Sequence, residues 1–95
     1  MKLVKDQASG YPMPPHSTIY SVVLFTDSLR MAIPIVDLYR ILNTREKIGK
    51  SDKRKLSGVP MLMAVRSDDN TLEFFPAPDR DYEIIIRYAG PLQEI

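Results

Sequence analysis

The sequence predicts a mainly β domain, a small antiparallel β-sandwich or half-open barrel of about five strands with one short helix between the second and third strands. Three observations predict it. Segments rich in Val, Ile, Tyr and Phe recur along the chain, separated by short polar or proline-containing turns. Only one stretch shows helical spacing of apolar residues. Finally, 95 residues with 44% hydrophobic content suit one domain with a modest core and argue against a disordered chain.

Residues 1–18 are expected to form an extended lead-in, because the prolines of Gly10-Tyr-Pro-Met-Pro-Pro15 disfavour helix. Residues 19–95 then form a single β-rich domain. Ile19 to Phe25 reads as the first strand, and Thr26-Asp-Ser28 turns it into Leu29 to Ile33, giving a first hairpin. Pro34 suits the first turn of a helix. Ile35, Leu38, Tyr39 and Leu42 share a helical face, so Ile35 to Asn43 is the predicted helix, with Tyr39 packing into the core. Thr44 to Lys55 carries six basic and two acidic residues and contains Gly49, which reads as a mobile basic surface loop.

Ser57-Gly-Val-Pro60 punctuates that loop, and Met61 to Ser67 is a strand that turns at Asp68-Asp-Asn70. Met61 and Met63 alternate onto one face as core filling. Thr71 to Phe75, Pro76 to Asp81 and Tyr82 to Tyr88 read as strand, proline-stiffened turn and strand, a second hairpin. Side chains alternate along a strand, so Tyr82, Ile84, Ile86 and Tyr88 are expected to face the core and Glu83, Ile85 and Arg87 the other side. By the same rule Phe74 goes inward with Leu72. Phe75 lies on the opposite face, where Phe75, Pro76 and Pro78 offer either an apolar contact patch for a neighbouring subunit or ordinary turn packing.

No constellation of residues points to catalysis or a cofactor. His16 is the single histidine, beside prolines, which leaves a Ser-His-Asp triad or a multi-histidine metal site without partners. Asp68, Asp69, Asp79 and Asp81 each fall in a predicted turn, where aspartate has an ordinary role, rather than forming a calcium or paired-acid site. Glycines at 10, 49, 58 and 90 match neither the dinucleotide fingerprint nor the Walker spacing. With no cysteine there is no disulfide framework and no thiolate site, so the redox compartment stays open with the cytoplasm as default. The apolar run at Leu3 and Val4 is too short for a signal peptide, and Met31 to Val36 is far short of the roughly 20 residues that span a bilayer, so a soluble protein without membrane contact is expected.

The order of motifs then takes on meaning. Gly10-Tyr-Pro-Met-Pro14, a hairpin, Ile33-Pro-Ile-Val-Asp-Leu38, Gly58-Val-Pro60, and Leu72-Glu-Phe-Phe-Pro-Ala-Pro-Asp79 ahead of Tyr82 to Tyr88 resemble tailed-bacteriophage head-to-tail adaptor proteins, the connectors or tail tubular proteins of the gatekeeper type. The resemblance covers about residues 10 to 92, and its most specific part is the last strand pair. It implies a structural virion protein, not an enzyme and without cofactors. Such a protein forms a ring of its own copies below the portal, contacts portal and tail proteins at the virion neck, and assembles in the host cytoplasm. The chain departs from the family in having no long amphipathic helix at either end. That departure bears on direct portal docking more than on the β domain, and leaves open a compact variant, a separate β module or a fragment.

Thirteen basic against twelve acidic residues give a net charge of +1, so any polyanion contact has to be local. Arg45, Lys47, Lys50, Lys53, Arg54 and Lys55 are the local candidates. Read plainly they are a solvated loop. Read more sharply, a ring multiplies them into a positive belt that meets passing DNA or an acidic neighbour through salt-sensitive attraction. No aromatic residue interleaves with the lysines, so stacking on single strands is not indicated. Two other readings remain: a monomeric β-sandwich binding module for a peptide or glycan, and a basic-loop DNA binder.

Overall fold

A computed structural model of the chain describes residues 1–13, 18–26 and 28–89, so His16, Asp27 and Gly90 lie outside the described residues. In chain order the elements are β1 Lys2–Leu3, β2 Tyr11–Pro12, β3 Thr18–Phe25, β4 Arg30–Ala32, α1 Leu38–Ser51, a 3-10 turn Lys53–Leu56, β5 Ser57–Gly58, β6 Leu62–Arg66, β7 Thr71–Phe75, β8 Ala77–Pro78 and β9 Tyr82–Ala89. The five expected strands correspond to β3, β4, β6, β7 and β9, and α1 falls between the second and third of them. One sheet has the order β1-β9-β3-β4 and a second β2-β7-β6, both antiparallel throughout, while β5 and β8 form a short parallel pair.

The two sheets share one buried cluster. Val22 and Leu24 of β3 and Tyr82 and Ile84 of β9 meet Leu72 and Phe74 of β7 and Met63 of β6, with Leu3, Tyr11 and Ile33 completing it. The register pairs Val22 with Ile86 and Leu24 with Ile84, which places the β-branched and leucine side chains of neighbouring strands on one face. Ile85 is exposed on the other face, as alternation requires. Tyr88 is not a core residue: beyond Tyr82 and Ile84 the burial fades through a half-buried Ile86 to Tyr88, which is 50% exposed.

The second hairpin is a correction. β7 and β9 are not paired; they belong to different sheets, and residues 76–81 carry the chain across from one to the other. Pro76 and Pro78 supply no N–H for a ladder. Ala77 and Pro78 lie instead beside Ser57 and Gly58, where the Asp79 N–H donates to the Gly58 carbonyl at 3.1 Å and the Pro78 carbonyl accepts from Asp6 N–H at 2.8 Å.

Of the extended lead-in expected over residues 1–18, β1 and β2 belong to the two sheets. β1 lies at the edge of the four-stranded sheet with Leu3 fully buried, and the Met1 carbonyl accepts from Ile84 N–H at 2.9 Å. Tyr11 is buried against Phe74, ring edge to ring face at 5.5 Å. Its hydroxyl donates to the Gln7 carbonyl at 2.6 Å and accepts from Val4 N–H at 2.9 Å, and burial pushes its phenol above the ordinary value. Asn70, at φ 55°, closes the β6–β7 turn in the left-handed region that asparagine tolerates.

The helix differs most from expectation. It begins at Leu38, because Pro34, Ile35 and Val36 are held extended along β6: Met63 N–H donates to the Pro34 carbonyl at 3.0 Å and Val36 N–H to the Met63 carbonyl at 2.8 Å. Asp37 caps it, accepting from Tyr39 N–H at 3.0 Å. It then runs through Ser51, so the predicted loop 44–55 is largely helix, closed by the 3-10 turn. The inward face is Leu38, Ile41, Arg45 and Ile48, recurring every three or four residues. Ile35 and Leu42 are exposed, as is Tyr39 at 73%.

Candidate functional site

The helix layer carries the chemistry of this molecule, and it is built on the outer face of β6 and β7. In β7, Leu72 and Phe74 face the shared core while Glu73 and Phe75 face α1, where Ile41, Ala64 and Phe75 form a smaller buried cluster. Glu73, 2% exposed, is the one buried charged residue among the described residues. Arg45, reaching down from α1, donates to its Oε2 at 3.1 Å, and Arg66 of β6 donates to its Oε1 at 3.0 Å. Both guanidinium groups retain partial contact with water, so the carboxylate is desolvated but doubly partnered. Hydrogen bonding and attraction from Glu73 hold the Arg66 guanidinium above its usual range. Arg45 also donates to the Phe74 carbonyl at 3.4 Å and lies 6.0 Å from the centre of the Phe75 ring.

That geometry revises the candidate residues. Phe75, at 5% exposure, is packed beneath the helix, Pro78 is buried, and Pro76 is half-buried beside Gly58. Phe75, Pro76 and Pro78 therefore form turn and helix packing within the chain rather than an exposed patch. Arg45 leaves the basic surface group, since its charge is spent on Glu73. The other five are exposed at the far end of α1 and in the turn after it. Lys50 pairs with Glu46 at 3.3 Å and Arg54 with Asp52 at 3.2 Å, whereas Lys47, Lys53 and Lys55 make no ion pair among the described residues. Met61 is exposed and Met63 is core, because only the second lies within β6 facing the shared cluster.

The aspartates are spread out. Asp69 accepts from the Thr71 hydroxyl at 2.6 Å, Asp79 from the Tyr82 hydroxyl at 2.6 Å and Asp81 from Lys5 N–H at 2.9 Å. Burial first, and then the Asp79 hydrogen bond, push the Tyr82 phenol above its ordinary value. Among the described residues no three acidic, histidine or cysteine side chains gather where they could hold a metal ion. No helix of the described residues is long and apolar enough to cross a membrane.

At the opposite end of α1 lies a groove of about 550 Å³ between the first helical turn and β6. Its apolar lining includes Ile35, Tyr39, Leu42 and Val65, and Asp37 and Asp68 line it as well. Met63 turns its backbone groups away from β7, toward Pro34 and Val36. Two residues on, Val65 therefore points its own N–H and carbonyl toward the groove, at the edge of the sheet.

Sequence reading missed both the Glu73 cluster and the groove. A signal for the first was present: an acid between Leu72 and Phe74 in an apolar strand demands a buried partner, and Arg66 lies diagonally across the β6–β7 register on the same face. Comparison with family models, with curated proteins and with solved structures finds no match to the chain.

Proposed function

We propose that the chain is a structural virion protein of a tailed phage, a head-to-tail adaptor or connector whose copies form a ring joining the portal to the tail. The observation that carries this reading is the order of motifs across residues 10 to 92, which resembles that adaptor family. Three features of the molecule support it. The sheet orders leave β1, β2, β4 and β6 as edges, and an unpaired edge strand is a template for another chain. The buried cluster takes side chains from both sheets, which supports a small antiparallel sandwich. The helix layer separates charge in part: Asp37 and Asp68 lie at the groove by the start of α1, and Lys47, Lys53 and Lys55 toward its end make no ion pair among the described residues.

In this reading the protein performs no covalent chemistry and holds no cofactor. Its work is fit between copies and against the portal and tail proteins, at the virion neck after assembly in the host cytoplasm. The lysines at the end of α1 face passing DNA or an acidic neighbour. Electron microscopy of the purified protein mixed with its portal tests the reading: ring-shaped density seated on the portal is expected, and bare portal rings beside a monomeric protein would contradict it.

One observation favours a second reading, a monomeric binding module for a peptide or glycan. The groove beside Val65 joins an open sheet edge to exposed Ile35, Tyr39 and Leu42, a geometry that accepts an extended segment by strand addition. A module of that kind binds its ligand as a single copy, whereas a connector buries its contact faces in the ring.

A further inference from the structure

The two ends of α1 are complementary to each other, and we infer that the groove at its start receives the lysine-rich end of α1 from the next copy in the ring. The inference rests on the ring reading above and names the surfaces that would build it.

The receiving end is acidic and apolar together. Asp68 is 71% exposed and only loosely paired, at 3.8 Å from Arg66 Nε, while Arg66 gives its stronger bond to Glu73. Asp37 and Asp69 are exposed beside it, and no cationic side chain lines the groove; Arg40, exposed on the same turn of helix, stands outside its lining. Exposed Tyr39, with Ile35 and Leu42, gives the floor an aromatic face and aliphatic surface.

Lysine matches each of these features. Its ammonium is attracted to the carboxylates and to the Tyr39 ring, and its four-carbon stem covers apolar surface that would otherwise face water. The opposite end of the same helix offers Lys47, Lys53 and Lys55, all exposed and without ion pairs among the described residues. The helix that carries the two surfaces is about 21 Å long, at 1.5 Å per residue over its 14 residues. They are different patches, so a contact between them is heterologous and each copy keeps one of each to extend the chain of contacts until it closes.

Sedimentation velocity on wild-type protein, Asp68→Lys, and the double variant Lys53→Glu with Lys55→Glu tests this, with thermal unfolding showing that each variant is folded. Tyr39→Ser serves as an uncharged variant of the same groove. Wild type should form oligomers of more than two copies that weaken as salt rises. Each charge reversal should reduce self-association by about tenfold or more, through like charges set face to face. Mixing the two reversed proteins should restore assembly beyond two copies, because the intact groove of one meets the intact lysines of the other and the two reversed surfaces again carry opposite charge. Tyr39→Ser should weaken assembly without changing its salt dependence. Oligomers that persist unchanged through both reversals overturn this interface and leave the ring reading standing. Loss of duplex DNA binding on removing the lysines, with assembly unchanged, also overturns it and assigns the lysines to DNA. A wild-type protein that stays monomeric, or stops at two copies, overturns the ring reading itself.

Discussion

The two faces of β7 are made differently. Toward the four-stranded sheet, Leu72 and Phe74 enter a continuous apolar cluster that also includes Tyr11, Leu24, Met63 and Ile84. Toward the helix, Glu73 and Phe75 meet a thinner layer in which Ile41 and Ala64 are the buried apolar neighbours and two arginines hold the carboxylate. Burial of apolar surface dominates the first face, and directional, charge-assisted hydrogen bonds orient the second. A helix attached this way has its position defined, while Tyr39 and Leu42 stay exposed on it among charged side chains.

The sharpest way to break the contrast is to truncate one residue on each face. Phe74→Ala should cost about 3–5 kcal/mol and Ile41→Ala about 2–3 kcal/mol, measured by urea unfolding, since the helix side can close over a cavity more readily than the two-sheet core. An Ile41→Ala cost equal to or above that of Phe74→Ala would contradict the contrast, since the smaller side chain would then be at least as costly to remove. Glu73→Gln keeps the shape but leaves Arg45 and Arg66 on a neutral amide, and should lose about 1–2 kcal/mol. Its effect should appear mainly as faster amide exchange in α1, with the β3–β9 ladder little changed.

Gly49→Ala should sharpen the same comparison in the other direction. Gly49 lies inside α1, and a Cβ there meets Leu56 Cδ1 at an ordinary 3.7 Å, so the substitution should stabilise the protein by about 0.5–1 kcal/mol. The smallest effect belongs to alkaline pH. Tyr11 and Tyr82 have phenols raised in the folded chain, so the folded state holds their protons more tightly than the unfolded one. Their contribution is complete below the ordinary tyrosine value of about 10 and is lost as pH rises through the folded values. Stability measured from about pH 9 to 11.5 should fall less steeply in Tyr82→Phe than in wild type.

How much of this was legible in the sequence follows from the same contrast. Strands with one apolar face announce themselves, and β3, β4, β6, β7 and β9 were expected close to where they stand. What the chain does between strands was less visible. Strand β9 reads as the partner of β7 because they are adjacent in sequence, yet its alternating residues complete the sheet of β3, and only the tertiary core distinguishes the two. The helix was misplaced for a chemical reason. Its inward stripe includes Arg45, and a pattern that counts only apolar residues selects Ile35, Leu38, Tyr39 and Leu42 instead of Leu38, Ile41, Arg45 and Ile48. Gly49 and the surrounding charges then made the rest of α1 look like loop. The basic residues at its end are exposed together, except Arg45, whose partner is a glutamate 28 residues further on.

Native mass spectrometry of the purified protein over a range of concentrations and volatile-salt strengths tests the central claim, that copies of this chain assemble head to tail into a ring. One closed stoichiometry above two, dissociating to monomer as salt rises, is the result the account predicts. A monomer at every concentration and salt strength would contradict it.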